Sequence, residues 1–301
     1  MKEQADPMAA EMPRAVARRT PSPYRWRRAT NAIMTGLCAL MVAIAVVPLI
    51  SILYLVISRG IGSLSLTFFT HLPAPVGETG GGIGNALVGT LYIVGLACFI
   101  GLPFGIGAGV FLAERGDGKL GHAVRFTAEV LSGVPSVIIG VVAYGLVVMP
   151  MHRFSAIAGA VALGILMVPT LARSTEEMVR LVPRSLREAS LALGVPAWKT
   201  SLFVVLRTSL GGLVNAALLS VARAAGETAP LLFTALNNQY WNFRPDQPTA
   251  SLTVQIYNYA ISPYEDWHQK AWGAALCLLL LVGLLSLTAR ALAGRRQTGP
   301  A

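Results

Sequence analysis

Long apolar runs alternate with short polar stretches along this chain of 301 residues. A helix needs about 20 apolar residues to cross the hydrocarbon core of a membrane. Six runs reach or approach that length, and we expect a membrane-spanning helix in each of them: 31–58, 85–113, 127–150, 156–172, 202–236 and 271–292. The pattern therefore predicts an all-α polytopic membrane protein with six transmembrane helices, of which the fourth is the shortest.

The polar residues outside these runs divide the chain. Residues 1–28 are rich in Pro, Ala, Arg and Glu, and we expect a disordered basic cytoplasmic tail because this composition cannot bury a core. The first span and an outer loop would occupy 29–79, a five-helix core 80–294, and a short cytoplasmic tail 295–301. The first apolar run is longer than the hydrophobic part of a signal peptide and lacks a small-residue cleavage site, so it should remain as a span.

Basic residues lie mostly on one side of the predicted spans. If both termini are cytoplasmic, nineteen Lys and Arg residues fall on the cytoplasmic side and four on the outer side, with Arg223 inside a span. Cytoplasmic loops of membrane proteins carry an excess of Lys and Arg. The distribution therefore predicts cytoplasmic termini, and it places the polar stretch 183–200 in the cytoplasm.

Composition narrows the function classes. Hydrophobic residues make up 54% of the chain and charged residues 13%, as is typical of polytopic membrane proteins. The net charge of +10 does not indicate nucleic acid as a partner, because the basic residues flank the spans and no basic soluble domain interleaved with aromatic residues is present. Attraction to anionic membrane lipid accounts for them.

The motifs of catalysis and cofactor binding are missing from the sequence. There is no G-x-x-x-x-G-K-[ST] phosphate cradle, so the chain is not expected to hydrolyse ATP itself. The three cysteines fall within predicted spans, and the four histidines are scattered without ligand spacing: His71, His122, His152 and His268. We expect no catalytic residues, no cofactor and no metal site.

The polar stretch 183–200 has the features of a short helix outside the membrane. Ser185 and Glu188 match an S-x-x-E capping box, Gly194 suits the left-handed position after a helix, and Pro196 can open the next helix. Three apolar residues recur on one face: Leu186, Ala189 and Leu193. A membrane protein with a capped cytoplasmic helix is expected to present it to a partner.

A pair of opposite charges lies within the fifth predicted span. Arg223 and Glu227 are four residues apart and would share one face of a continuous helix, which Pro230 could bend just beyond. One interpretation is a structural ion pair that locks the helices together. The other is an arginine exposed to a polar pathway, where its guanidinium group can bind an oxyanion and Glu227 holds and screens it.

Four other charges near the cytoplasmic side suggest local pairs. Arg125 and Glu129 are predicted to pair at the start of the third span, whereas Glu176 and Glu177 should lie on a solvated extension of the fourth span. On the outer side, 251–261 predicts a short helix, in a loop whose aromatic residues are either membrane anchors or part of a lid or docking surface.

Residues 188–194 read E-A-S-L-A-L-G, and this loop resembles the E-A-A-x-x-x-G loop of the inner-membrane permeases of bacterial ABC importers. Segments 222–236, 81–90 and 132–136 resemble the phosphate-specific permeases of that family. The likeness covers most of residues 80–290. It implies a type I importer permease fold in the bacterial inner membrane.

The resemblance also implies partners and site residues. The partners are a second, different permease subunit as heterodimer, two copies of an ATPase and an external phosphate-binding protein. Four residues would dock on the ATPase: Glu188, Ala189, Leu193 and Gly194. Arg223, with Glu227 and Thr228, would line the phosphate pathway. Without the resemblance, these side chains indicate only that the solute is an oxyanion and do not identify it as phosphate.

Three alternatives remain open at this stage. One is an ABC permease for sulfate, molybdate or phosphonate, which would share the cytoplasmic loop. Another is a secondary transporter or channel, which would need coupling carboxylates or a self-sufficient pore. A non-transporting membrane scaffold or sensor component is the third.

Overall fold

The computed structural model describes residues 24–75, 77–78 and 80–297, and this part of the chain contains helices and no β-strand. It divides into two units, with the boundary between Tyr54 and Leu55. A 3₁₀ turn, Ile61–Ser63, follows the first helix. The helices are α1 Tyr24–Gly60, α2 Leu66–Thr70, α3 Gly84–Arg115, α4 Lys119–Gly133, α5 Ser136–Met151, α6 Ala156–Arg180, α7 Arg184–Ala192, α8 Ala197–Thr208, α9 Leu210–Ala225, α10 Ala229–Leu232, α11 Leu252–Ala260 and α12 Glu265–Gln297.

Four of the described helices are long and apolar enough to cross a membrane, namely α1, α3, α6 and α12. Two bent pairs, α4 with α5 and α8 with α9, bring the total to six if each pair forms one span. The six predicted runs correspond to these elements. The helix of the fourth run continues to Arg180, so it includes the extension that was expected at Glu176 and Glu177. The terminal predictions fall mainly on residues 1–23 and 298–301, which lie outside the described part.

Neither bent pair is the continuous helix expected from its apolar run. The chain bends by 107° between α4 and α5, and Val134 and Pro135 lie at the break. Pro135 has no backbone N–H to donate, and a proline forces the residue before it out of the helical region, as the extended conformation of Val134 (ψ 130°) shows. The chain bends by 73° between α8 and α9, at Ser209.

The centre of the second unit is the close packing of α3 on α6. Three glycines spaced one helical turn apart on α3 each face a side chain of α6: Gly101 faces Met167, Gly105 faces Leu171 and Gly109 faces Thr175. A Cβ atom at Gly105 would lie 2.5 Å from the Cβ of Leu171. Small residues let membrane helices approach closely, so these glycines account for the close packing of α3 on α6.

Replacing Gly105 by leucine is therefore expected to destabilise the subunit by about 1–3 kcal/mol, the usual cost of overpacking a core. Gly107, two residues away, has no neighbouring atom within 4 Å of an added Cβ. Gly107→Leu is the matched control and is expected to leave stability nearly unchanged. Thermal unfolding of the two purified variants in detergent measures the difference, and equal melting temperatures would contradict the packing role.

Loops and a short helix pack against the N-terminal parts of α3 and α6. The Ser251 side chain accepts a hydrogen bond from the Val254 N–H and caps α11, so the predicted helix at 251–261 is confirmed within a residue of each end. Asp246 binds Arg153 (3.0 Å) and Arg244. Its desolvation raises the pKa of its carboxyl group, but the hydrogen bond and charge of Arg244 outweigh this, and the net pKa is lowered.

Candidate functional site

The cytoplasmic helix predicted at 183–200 is α7, followed by the first turns of α8. The predicted capping box is wrong. α7 begins at Arg184 with Pro183 as its N-cap, and no side chain caps it. Ser185 is thus already inside the helix, where its hydroxyl cannot take the capping position that precedes the first turn.

The end of α7 follows the prediction. Gly194 has a φ of +80°, the left-handed conformation that favours glycine after a helix. Its N–H donates to the Leu191 carbonyl oxygen at 2.9 Å, which satisfies one of the free carbonyl groups of the last turn. Pro196 then stands immediately before the first residue of α8.

One side of α7 packs against the start of α8 and the other side is exposed to solvent. The Ser190 hydroxyl is buried and lies 2.9 Å from the Thr200 hydroxyl at the start of α8. The four predicted docking residues are all exposed: Glu188, Ala189, Leu193 and Gly194. Leu193, the residue directly after α7, is 84% exposed. All four residues are therefore accessible, two of them on α7 and two in the turn that follows it.

Arg187 joins α7 to two other elements, a role that no pattern in its neighbouring sequence predicts. Its guanidinium group forms an ion pair with Glu114, one residue before the end of α3. A second nitrogen of the same group donates to the Val179 carbonyl oxygen of α6 at 2.9 Å. Arg187 and Glu114 are 73 residues apart in sequence, so no local spacing signals the contact.

The charge cluster at the C-terminal end of α6 also differs from expectation. Glu176 is buried rather than solvated, and it binds Arg125 of α4 at 2.7 Å and Arg180 at 2.8 Å. The predicted partner of Arg125, Glu129, makes no ion pair with it. The buried carboxylate takes precedence, because a partly desolvated charge gains more from a cation than an exposed one does. Glu177 is exposed, as predicted, and pairs with Arg173.

Arg223 and Glu227 lie where the helix of the fifth run stops. α9 ends at Ala225, so Glu227 is outside it and the predicted continuous helix over both residues is wrong. The Arg223 Nε atom still lies 3.9 Å from the Glu227 Oε1 atom, at the outer limit of an ion pair. The Arg223 side chain is 65% exposed and that of Glu227 only 19%.

Packing around this break fixes the backbone and leaves the arginine free. Thr253 of α11 donates its hydroxyl to the Glu227 carbonyl oxygen at 2.9 Å. Gly140 of α5 lets the backbone of Pro230 approach so closely that an added Cβ would lie 2.7 Å from its Cα atom. Thr228, the third predicted pathway residue, precedes α10 and is partly exposed. The site thus presents an exposed cation beside a non-helical backbone segment that is held by other elements.

Chemically, this arrangement can bind an anion. A guanidinium group offers five N–H donors in a planar fork that matches two oxygens of an oxyanion. Among the described residues no cluster of His, Cys, Asp and Glu could hold a metal ion. The nearby charge, Glu227, is held at a distance that leaves most of those donors available.

Solved structures share this fold. A chain of the MetNI methionine ABC transporter, in an inward-facing crystal form, aligns with 71% of this chain and 93% of its own length, with a TM-score of 0.57 and 21% identity. A chain of a bacterial alginate ABC transporter, crystallised with an alginate pentasaccharide-bound periplasmic protein, aligns with 92% of this chain and 99% of its own, with a TM-score of 0.65 and 11% identity. The predicted type I importer permease fold is therefore confirmed.

Sequence comparisons are closer. The model of the family "Binding-protein-dependent transport system inner membrane component" matches residues 105–297. Relatives named phosphate transport system permease protein PstA include one from Yersinia pestis, 41% identical over 90% of this chain and 92% of the relative, and one from Haemophilus influenzae, 42% identical over 89% and 95%. PstA 1 of Mycobacterium tuberculosis is 37% identical over 91% and 92%. This chain belongs to the family of binding-protein-dependent transport system inner membrane components and is a multi-pass permease of the inner membrane.

Proposed function

We propose that this chain forms part of the pathway for inorganic phosphate in an ATP-driven importer. The observation that carries the proposal is the combination of near-full-length relatives named for phosphate transport with an accessible cation, Arg223, beside a broken helix. A weakly held guanidinium group lowers the electrostatic barrier to an anion without trapping it. Glu227 and Thr228 complete this part of the pathway.

The importer would contain partners that supply what this chain does not. These are a PstC-like permease as the other half of a heterodimer, a PstB-like ATPase dimer that hydrolyses ATP, and a PstS-like external protein that delivers phosphate. The exposed surface of α7, formed by Glu188, Ala189, Leu193 and Gly194, would lie in a groove of the ATPase. Helix-in-groove contacts of this kind bury a few exposed apolar anchors, and Leu193 is the most exposed candidate.

Orientation and domain organisation follow from the same proposal. With α7 in the cytoplasm, both termini are cytoplasmic, and residues 80–294 form the five-helix transport core after a first span in 29–79. Single-cysteine variants in a cysteine-free background give the test. In the subunit expressed without the ATPase, a cysteine at Leu193 should be labelled by an impermeant maleimide only from the cytoplasmic side, and one at Tyr240 only from outside, since both positions are strongly exposed.

The deciding experiment is reconstitution of the chain with its native partners in vesicles. ATP-dependent uptake of phosphate, competed by arsenate and much less by sulfate, molybdate or phosphonate, is the expected result. Preferential uptake of another oxyanion would mean that the chain is a permease for that oxyanion within the same family. Uptake by the isolated chain without an ATPase would overturn the proposal in favour of a secondary transporter or channel.

A further inference from the structure

The docking helix α7 has a direct side-chain connection to the cytoplasmic end of α3. Most of the packing of α7 within the chain is on residues 200–205 of α8, its neighbour in sequence. Arg187 reaches away from that contact to Glu114, and the two side chains are 21% and 24% exposed. The ion pair therefore connects a partner bound to α7 with α3, a helix of 32 residues that runs from Gly84 to Arg115.

Arginine suits this position because it bonds in two directions at once. One arm of its planar fork faces the Glu114 carboxylate, and another donates to the Val179 carbonyl oxygen at 2.9 Å. Val179 lies in the last turn of α6, where free carbonyl groups carry partial negative charge and favour a cation. Partial burial shields both interactions from solvent, so they resist screening better than an exposed pair would.

The two helices that Arg187 holds form the rigid centre of the subunit. α3 and α6 interlock through the glycines at 101, 105 and 109, so a displacement of their cytoplasmic ends is transmitted along both. Close-packed interfaces of this kind move as units and do not deform gradually. The ends that Arg187 binds are therefore the ends at which an ATPase could move the whole pair.

We propose that Arg187 is a positioning residue for transport: it transmits movement of α7 to α3 through Glu114 and to α6 through the Val179 carbonyl group. The inference rests on the proposed function, since it assumes that α7 is the helix bound to the ATPase. It adds a specific path, in which α3 is driven through a side chain rather than through the chain connection from α7 to α8. Arg187 itself touches neither phosphate nor nucleotide.

The test compares uptake with ATP hydrolysis in vesicles that contain the complete importer. Arg187→Gln and Glu114→Gln are each expected to raise the ATP hydrolysed per phosphate imported by roughly 5–150-fold, the usual range for coupling between distant sites. The double variant should be no worse than either single variant, because both remove the same interaction. Exchange of the charges, Arg187→Glu with Glu114→Arg, should restore part of the coupling.

Two further variants separate this role from general stabilisation. Arg173→Gln breaks an exposed ion pair within α6 and is expected to leave the ratio unchanged. Arg187→Lys keeps the charge but loses the second donor direction, so it should assemble and show an intermediate ratio. If Arg187→Gln fails to co-purify with its partners, Glu114→Gln and the charge exchange decide alone.

The outcomes distinguish this inference from the proposed function. If the wild-type complex does not couple ATP hydrolysis to phosphate uptake, the proposed function fails. If the wild type couples and Glu114→Gln matches Arg173→Gln, the transmission path is wrong although the importer is correct. Additive losses in the double variant would also overturn it, because they would mean that the two residues act separately.

Discussion

Arg223→Gln is expected to abolish net phosphate uptake while the subunit still assembles with the ATPase. Glutamine keeps hydrogen-bond donors but removes the positive charge, which is what lowers the barrier to an anion in a low-dielectric region. A hydrogen bond from a charged group contributes about 1.5–3 kcal/mol, so removing the charged donor lowers the rate by up to roughly 10–160-fold. Loss of the charge at a larger distance adds to this.

Uptake of labelled phosphate in reconstituted vesicles measures the effect, with co-purification of the ATPase as the assembly check. Arg207→Gln is the matched control: Arg207 is also an exposed arginine of the α8 and α9 pair, but it lies near the end of α8. Its uptake is expected to be close to that of the wild type. Unchanged uptake kinetics in Arg223→Gln would instead support the structural ion pair. The same conclusion would follow if fewer complexes assembled but each assembled complex took up phosphate at the wild-type rate.

The geometry at Arg223 bears on the two interpretations left open by the sequence. A structural ion pair in a membrane protein should be close and shielded, because an unpaired arginine at the bilayer centre costs about 2.5–3.5 kcal/mol on insertion scales. Here the atoms are 3.9 Å apart and Arg223 is 65% exposed. An arginine so loosely held within the subunit needs another polar environment, which a pathway shared with a second permease would supply.

Features that depend on neighbouring residues were predictable from the sequence. Gly194 adopts the left-handed conformation because a left-handed residue must follow α7, and Ser251 caps α11 because its hydroxyl can reach the Val254 N–H. The six apolar runs correspond to the candidate spans, because a helix that crosses the hydrocarbon core needs a minimum number of apolar residues. Each of these depends on a few consecutive residues or on composition alone.

Features that depend on tertiary contacts were not. The Glu129 partner expected for Arg125 rests on a spacing of four residues, a pattern worth about 0.2–0.5 kcal/mol on an exposed helix. Glu176, 51 residues away, replaces it because burial makes its carboxylate the stronger partner. The end of α9 at Ala225 is similar: Gly226 weakens the helix, but the bond from Thr253 to the Glu227 carbonyl group comes from another element.

Gly194→Trp is expected to uncouple ATP hydrolysis from uptake. No atom lies within 4 Å of a Cβ added at Gly194, so an indole there would not clash inside the subunit. It would project from the surface that also carries Leu193, the surface proposed to enter the ATPase groove. A side chain without glycine's freedom also strains the φ of +80°, at roughly 1–2 kcal/mol.

Size and strain can be separated by smaller substitutions. Gly194→Asn tolerates the left-handed conformation and adds little bulk, so its coupling should stay near that of the wild type. Gly194→Ala adds the strain without the bulk and should lie between the two. Phosphate-stimulated ATPase activity and uptake, measured on the same vesicles, give the coupling ratio. For the tryptophan variant we expect a loss of coupling of roughly 5–150-fold; normal coupled transport by a well-assembled Gly194→Trp complex would show that α7 does not enter the motor through this turn.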